Sequence, residues 1–344
     1  MNLKIIYILL LIFSMPLSAR ESDSNAAVVF MYHRFGESRY PSTNIKLEQF
    51  EAHLEYLKQN SYNVWPLSKV VRYISEGKYI PQKTVALSID DAYKSVYTQA
   101  FPRLKAKGFP FTVFVNTASI DSGSKNYMSW NNMREMISYG AEFANHSTSH
   151  DYLMPIYGES KKEWQHRLRE EIETAQKRLH LELGENINEN PRLFSYPFGE
   201  YTLQTADFIQ TLGYIGITQT SGVIDTKSDN KILPRYPMAE SFANIEDFVL
   251  KLNTLALPVK NVSPKEPLVT DENPPMLTIE LEEELKDMRC YLSNGKPLIL
   301  ESISDKVVHV SSKEKLEGPR EKYTCTAKAK SDRWYWYSHL WIIK

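Results

Sequence analysis

The stretch Thr84–Asp91, which reads TVALSIDD, sets an apolar run directly before two adjacent aspartates. A run of this kind is typical of a buried strand in a parallel sheet. Comparable runs occur at Ala27–Tyr32, Phe111–Val115, Ala141–Asn145, Leu193–Tyr196 and Tyr214–Thr218. Segments with helical spacing of apolar residues lie between them. Strands that alternate with helices predict parallel βα units, and about seven such units over residues 27–257 favour a closed or nearly closed α/β barrel.

The character of the chain changes after the barrel. Five prolines fall in a polar segment, residues 258–275, which predicts a linker. Residues 276–344 contain six short strand-like runs, and Asn294-Gly295 between two of them is a hairpin signal. We therefore expect a small all-β, sandwich-like C-terminal domain.

Two features of this C-terminal region leave alternatives open. Cys290 and Cys325 are the two cysteines of the chain, and they are either a disulfide or two buried thiols. The strand Trp334–Ile343 alternates tryptophan and tyrosine at its start. These rings either pack in a core or domain interface, or stack on sugar rings.

The N-terminus carries an expectation about location. Lys4 precedes an apolar run, Ile5–Phe13, and small residues follow it, which predicts a signal peptide at residues 1–19. A retained N-terminal anchor is the alternative. We expect an exported protein, periplasmic or secreted, without stable membrane insertion after cleavage. The net charge of -1 gives no sign of a nucleic-acid partner, and the oligomeric state stays open.

Polar residues that can bind metal follow several predicted strands. Asp90 and Asp91 follow one strand, and His146 and His150, four residues apart, follow another. Carboxylate and imidazole are common ligands of zinc, although each motif alone could be a helix cap or a polar turn. His33 ends the first predicted strand, where a structural hydrogen bond is equally consistent. Because strand ends meet at one face of a barrel, we expect one of the two aspartates to hold a metal together with His146 and His150, while the other faces the substrate.

Two motifs resemble those of the polysaccharide deacetylase family, also called carbohydrate esterase family 4 or the NodB-homology domain. They are Ser88-Ile89-Asp90-Asp91-Ala92 and His146-Ser147-Thr148-Ser149-His150. The resemblance covers roughly residues 27–245 and implies a distorted (β/α)7-type barrel. It implies that Asp90 is the catalytic base and that Asp91, His146 and His150 hold a divalent metal. Zinc is the default for these ligands, and cobalt or nickel also fits them.

The third family motif corresponds to Phe194–Gly199, and the resemblance implies that the Tyr196 N–H stabilises the tetrahedral oxyanion. This sequence departs from the family in having Ala92 for glycine and Ser195 for the arginine that orients the base. We expect Arg235 to take over that task. The segment Phe30–His33 has the form of the family's acid-histidine motif, displaced to the N-terminus. This order is similar to the permuted branch of poly-N-acetylglucosamine deacetylases and implies that His33 is the catalytic acid.

The resemblance implies hydrolytic removal of N-acetyl groups from an N-acetylhexosamine glycan, with release of acetate. Two alternatives remain within hydrolases: a deacetylase of a small or lipid-linked sugar, and an O-acetyl esterase. An inactive glycan-binding protein is a third alternative. The expected partner is an N-acetylated polysaccharide substrate.

Overall fold

The structure, a computed structural model, describes residues 25–184, 187, 190–270 and 272–343. The predicted signal peptide at residues 1–19 lies outside this part of the chain. The N-terminal domain alternates strands and helices, as predicted. Its strands are β1 (Ala26–Tyr32), β2 (Arg34–Phe35), β3 (Asn44–Ile45), β4 (Asn63–Val64), β5 (Thr84–Ile89), β6 (Phe111–Val115), β7 (Ala141–Asn145), β8 (Arg192–Ser195), β9 (Tyr214–Ile217), β10 (Val223–Asp225) and β11 (Tyr236–Pro237). Its helices are α1 (Leu47–Gln59), α2 (Leu67–Ser75), α3 (Phe101–Lys107), α4 (Thr117–Asp121), α5 (Trp130–Ile137), α6 (Lys161–Leu183), α7 (Leu203–Thr211) and α8 (Ile245–Leu252).

The main sheet runs in the order β10-β1-β5-β6-β7-β8-β9. Neighbours from β1 to β9 are parallel, and β10 lies antiparallel to β1. The segment that follows β10 bonds both to the β9 edge of this sheet and to β1 near its other edge. In it the Leu233 N–H donates to the Gly216 oxygen of β9 at 2.8 Å, and Tyr236 pairs with Phe30 of β1. The distorted α/β barrel that the sequence predicts is therefore confirmed.

The barrel interior holds a cluster of apolar side chains that seven neighbouring strands and helix α2 supply. Ala86 of β5 and Ala144 of β7 belong to this interior cluster. Because side chains alternate along a strand, Ser88 and Asp90 share the interior face with Ala86. By the same alternation His146 follows Ala144 on that face. The strand period therefore directs the predicted site residues into the mouth of the barrel.

The C-terminal domain is built of two packed sheets. Its strands are β12 (Thr254–Ala256), β13 (Val259–Ser263), β14 (Leu268–Val269), β15 (Leu277–Leu281), β16 (Arg289–Tyr291), β17 (Ile299–Ser304), β18 (Val307–Ser311), β19 (Arg320–Lys328) and β20 (Trp334–Ile343). One sheet has the order β12-β20-β19-β16 with β14 beside β20, and the other has the order β13-β15-β18-β17. We call this domain the β domain; its core of apolar residues lies between the sheets.

The predicted linker at residues 258–275 is wrong, because these residues form β13 and β14 of the β domain. β13 pairs with β15, and β14 pairs with β20. Pro258, Pro264 and Pro267 flank the two strands, at positions where a missing N–H does not interrupt a ladder. The Asn294-Gly295 turn forms, with Tyr291 bridged to Pro297. The turn thus makes a short antiparallel connection, and the longer strands that it joins, β16 and β17, belong to different sheets.

The aromatic strand β20 packs on both of its faces. Tyr335, Tyr337 and Trp341 contact the core of the β domain. On the other face Trp336 packs against the barrel, with its ring 5.5 Å from that of Tyr236. This supports core and interface packing for most of these rings, while Trp334 is 38% exposed. Cys290 and Cys325 are joined as a disulfide between β16 and β19, so the first of the two alternatives for these cysteines is correct.

Among the described residues, no helix combines the length and apolar character that crossing a bilayer needs.

Candidate functional site

Asp90 lies at the carboxyl end of β5 and has no exposed surface. Arg235, which is equally buried, donates to both of its oxygens, from Nη1 to Oδ1 at 2.7 Å and from Nη2 to Oδ2 at 2.9 Å. The Arg235 Nε donates to the Thr218 oxygen at 2.9 Å. The hydroxyls of Ser88 and Ser195 accept from the same guanidinium at 3.1 and 2.9 Å. This two-pronged pairing fixes the plane of the Asp90 carboxylate.

The charge state of Asp90 follows from these contacts. Burial by itself raises the pKa of Asp90, but the Arg235 guanidinium and His146 outweigh it and hold the pKa below its ordinary value. The Ser195 hydroxyl donates to Asp90 Oδ2 at 3.3 Å. Asp90 is therefore an ionised carboxylate at neutral pH.

Asp91, His146 and His150 form a candidate metal centre. Their ligand atoms lie within 4.8 Å of one another. Asp91 Oδ1 is 3.4 Å from His146 Nε2 and 3.2 Å from His150 Nε2. Ligands about 2.0–2.1 Å from a tetrahedral zinc lie about 3.4 Å apart, so the spacing fits a common cation. Asp91 Oδ1 and His146 Nε2 are also buried atoms without a hydrogen-bond partner among the described residues, as expected of metal ligands.

Backbone and neighbouring groups hold these ligands in place. The Nδ1 of His146 contacts the Ser195 oxygen at 2.7 Å, which orients its Nε2 toward the cluster. Burial lowers the pKa of His150 to about 4, so that this imidazole is neutral and able to bind a cation. Asp91, Ala92 and His150 have φ values of 70°, 55° and 64°. Non-glycine residues rarely adopt such angles, and they concentrate at functional sites. The glycine that the family has at position 92 would adopt this angle freely.

His33 follows β1 at the same end of the barrel. Its Nε2 lies 4.0 Å from Asp90 Oδ2, and 14% of its side chain is exposed. It is thus close enough to share a bound substrate with Asp90 and remains open to the mouth of the barrel. The structure therefore brings together Asp90, Asp91, His146, His150 and His33, which the sequence predicts as one site.

Comparisons with known proteins agree with this geometry. The sequence profile of the polysaccharide deacetylase family matches residues 77–217. The chain is 25% identical over 195 residues to a Bacillus subtilis protein, YxkH, whose name places it among polysaccharide deacetylases; the match covers 56% of this chain and 64% of that one. It is also 25% identical over 235 residues to the poly-beta-1,6-N-acetyl-D-glucosamine N-deacetylase of Staphylococcus epidermidis, covering 62% and 79% of the two chains.

Residues 77–217 of the chain are thus similar to the polysaccharide deacetylase domain. Its fold is similar to that of the Streptococcus pyogenes deacetylase PplD in complex with acetate, with a TM-score of 0.58 and 22% identity over 66% of this chain and 98% of that one. The match thus spans less than two thirds of the Bacillus subtilis relative and nearly all of the solved deacetylase. The matched residues 77–217 lie within the barrel, and the β domain lies beyond them.

The expectation for Tyr196 at the mouth of the barrel is wrong. Its N–H donates to the Ile217 oxygen at 3.1 Å, as part of the sheet, and is not free for an oxyanion. Its side chain is fully buried, and its hydroxyl donates to the Lys231 oxygen at 2.8 Å. Tyr196 is thus a structural residue, because its N–H continues the pairing with β9 one residue beyond the end of β8.

Phe198 is a site residue that sequence reasoning missed. It lies two residues after Tyr196, has a φ of 59°, and its ring meets the ring of His150 edge-on at 4.6 Å. Its N–H has no acceptor among the backbone and side-chain hydrogen bonds of the described residues. The signal available in the sequence was the Pro197-Phe198-Gly199 turn, whose backbone bends away from the sheet.

Proposed function

We propose that this protein is a metal-dependent hydrolase that removes N-acetyl groups from an N-acetylhexosamine glycan and releases acetate. One observation carries the proposal: a buried carboxylate, Asp90, is held ionised by Arg235 directly beside the candidate metal centre of Asp91, His146 and His150. The names of the relatives and the similarity of the fold support the same reaction. Zinc is the metal we expect, and cobalt or nickel would fit the same donor atoms.

Asp90 is the proposed general base. A divalent cation, when bound, polarises the acetamide carbonyl and lowers the pKa of water toward about 7. A carboxylate with a low pKa is then sufficient to accept the proton of the attacking water. Arg235 keeps both Asp90 oxygens in a fixed orientation, and so acts as a positioning residue.

His33 is the proposed general acid. Its Nε2 is 4.0 Å from the Asp90 carboxylate, so both groups can reach one substrate bound at the mouth of the barrel. Breaking that bond leaves an amine that needs a proton, and imidazole is suited to supply it near neutral pH. In this scheme Asp90 takes the proton from water and His33 gives a proton to the sugar nitrogen.

The Phe198 N–H is the proposed donor to the oxyanion. The Phe198 ring contacts the metal ligand His150, which places this turn at the candidate metal centre. An N–H without an acceptor, fixed at such a place, stabilises negative charge on the former carbonyl oxygen. It takes the role that the sequence suggested for Tyr196.

Aromatic rings around the mouth of the barrel support a sugar substrate. On one side the rings of Tyr93 and Tyr127 are stacked at 5.2 Å, and the Arg34 guanidinium lies 3.4 Å from the Tyr93 ring centre. On the other side Tyr152, which is 51% exposed, stacks on Phe198 at 4.6 Å. Flat apolar faces with polar edges suit pyranose rings. Two such surfaces flanking the centre favour a chain of several sugars.

Export of the protein is also a proposal. The N-terminal sequence predicts a signal peptide, and the Cys290–Cys325 disulfide is typical of an oxidising compartment outside the cytosol. Periplasmic and secreted locations are both consistent with these features.

The test is acetate release by the zinc-loaded protein on a panel of substrates. The panel contains β-1,6-linked N-acetylglucosamine oligomers, chitin oligomers, peptidoglycan and an O-acetylated sugar ester. We expect acetate and free amine in equal amounts from at least one amide substrate, and a loss of about 100-fold or more in Asp90→Asn. Acetate from the ester alone would replace the proposal with an esterase. Glycan binding without acetate would replace it with a binding protein.

A further inference from the structure

The β domain reaches the turn Pro197–Gly199 of the barrel through one arginine. Arg320, the first residue of β19, donates from Nη1 to the Phe198 oxygen at 2.6 Å. The same Nη1 lies 3.3 Å from Glu200 Oε1, and the guanidinium carbon is 5.6 Å from the centre of the Phe198 ring. One side chain of the C-terminal domain thus contacts the residues on both sides of Gly199.

The turn needs external support to hold its conformation. Phe198 has a φ of 59°, a region that a bulky side chain rarely adopts, and the surroundings must fix it. Gly199 follows with a φ of 71°, and a Cβ at that position would lie 2.6 Å from the Gln219 Cβ. The turn is thus pressed against Gln219 on one face. The Arg320 guanidinium donates to the Phe198 carbonyl oxygen and so holds the same turn.

A second residue of β19 strengthens the same support. Lys322 donates from Nζ to the Gln219 oxygen at 2.8 Å. Since Gln219 contacts the turn at Gly199, the strand β19 holds the turn directly through Arg320 and indirectly through Lys322. A cavity of about 230 Å³ lies where β19 meets this turn, and Phe198, Gln219 and Arg320 are among the residues that line it.

The far side of the turn faces the chemistry. The Phe198 ring meets His150 edge-on and stacks on Tyr152, both at 4.6 Å. A shift of the turn therefore moves a wall of the metal centre and the proposed oxyanion donor together. Displacements of about 1 Å at such places reduce turnover by about 100-fold.

We propose that Arg320 is a positioning residue for catalysis, which makes the β domain a component of the active site and not an independent appendage. The inference rests on the proposed function for its kinetic consequences. Its structural consequence, the fixing of the Phe198 turn, does not depend on substrate.

The experiment compares Arg320→Gln with a matched control, Arg333→Gln, in the full-length zinc-loaded protein. Arg333 also joins the β domain to the barrel, donating to the Asn253 and Thr254 oxygens at 3.0 Å. It lies beside Ala26 and Thr84, at the opposite end of the barrel. We expect kcat for acetate release to fall about 10- to 100-fold in Arg320→Gln with KM within about threefold, partial rescue in Arg320→Lys, and wild-type kinetics in Arg333→Gln.

Hydrogen–deuterium exchange of the peptide that contains Phe198 is the second readout. It should be faster in Arg320→Gln than in the wild type or Arg333→Gln. If it is faster while the wild type releases no acetate from any substrate, the proposed function fails and the positioning role stands. Unchanged exchange, unchanged kcat, or a rise in KM alone would overturn the role of Arg320.

Glu200 provides a check against simple unfolding. It is 5% exposed, and burial raises its pKa although Arg320 opposes this effect. Loss of Arg320 leaves this carboxyl without its cation, and we expect this to lower Tm. The double variant Glu200→Gln/Arg320→Gln removes that carboxylate. We expect it to recover Tm but not kcat; recovery of kcat as well would show that Arg320 only neutralises Glu200.

Discussion

Replacing Arg235 by methionine tests how strongly this side chain and Asp90 depend on each other. Both side chains have no exposed surface, and they share two hydrogen bonds of 2.7 and 2.9 Å. Methionine preserves much of the volume but leaves a buried carboxylate with no guanidinium. Breaking a buried ion pair from one side costs about 3–5 kcal/mol, a large part of the stability of an ordinary domain.

The assay is urea unfolding of the metal-free protein at pH 7, followed by tryptophan fluorescence. We expect Arg235→Met to lose about 3–5 kcal/mol. The double variant Asp90→Asn/Arg235→Met should recover at least about 2 kcal/mol of this loss, since a neutral amide is cheaper to bury than a charge. Arg103→Met serves as a control, because Arg103 pairs with Glu51 at 2.8 Å on the surface; its loss should stay below about 1 kcal/mol.

Two results would refute this reasoning. One is a loss below about 1 kcal/mol in Arg235→Met, which would mean that water or another cation compensates Asp90. The other is simple additivity of the Asp90 and Arg235 substitutions, which would mean that the two side chains do not interact energetically. Either would remove the proposed role of Arg235 as the positioning residue of the base.

Three further predictions follow from the same geometry. Asp91→Ala should bind less than one tenth of the wild-type zinc at equal free zinc, measured by atomic emission after dialysis, and a wild-type stoichiometry would exclude Asp91 as a ligand. Burial lowers the pKa of His53 to about 4, so the buried neutral imidazole contributes fully to the free energy of unfolding above its ordinary pKa, and this contribution is lost as pH falls toward 4. The free energy of unfolding should fall by about 2 kcal/mol by pH 5, and this pH dependence should be absent in His53→Gln. Ser195 Oγ lies 2.9 Å from Arg235 Nη2, so Ser195→Arg/Arg235→Ser should release acetate at least about tenfold faster than Arg235→Ser alone; equal rates would show that the arginine cannot be moved to position 195.

Much of the barrel could be predicted because its signals are local. TVALSIDD combines a buried strand with a polar end, and the strand period then places Asp90 on the interior face with Ala86. His146 and His150 are likewise near in sequence and fall after a recognisable strand. The β domain was predicted from short alternating runs between turn residues. Its β13 and β14 were missed because prolines bordering short strands resemble a linker.

The remaining site contacts are long-range and have no local signature. Arg235 is 145 residues from Asp90, and its contact depends on how the segment after β10 closes the barrel. The difference between Tyr196 and Phe198 depends on where β8 stops pairing and the chain enters a left-handed turn. The contact of Arg320 with that turn joins two domains and spans 122 residues. Sequence spacing alone does not determine any of these three.

We propose that Asp90 performs chemistry at a metal held by Asp91, His146 and His150. The most direct test measures zinc content and acetate release together, for the wild type and Asp90→Asn, on a β-1,6-linked N-acetylglucosamine oligomer. We predict one zinc per chain in both proteins and acetate release in the wild type alone, which a chelator abolishes and added zinc restores. Acetate release that survives in Asp90→Asn, or that persists in wild-type protein shown to be free of metal, would contradict the account.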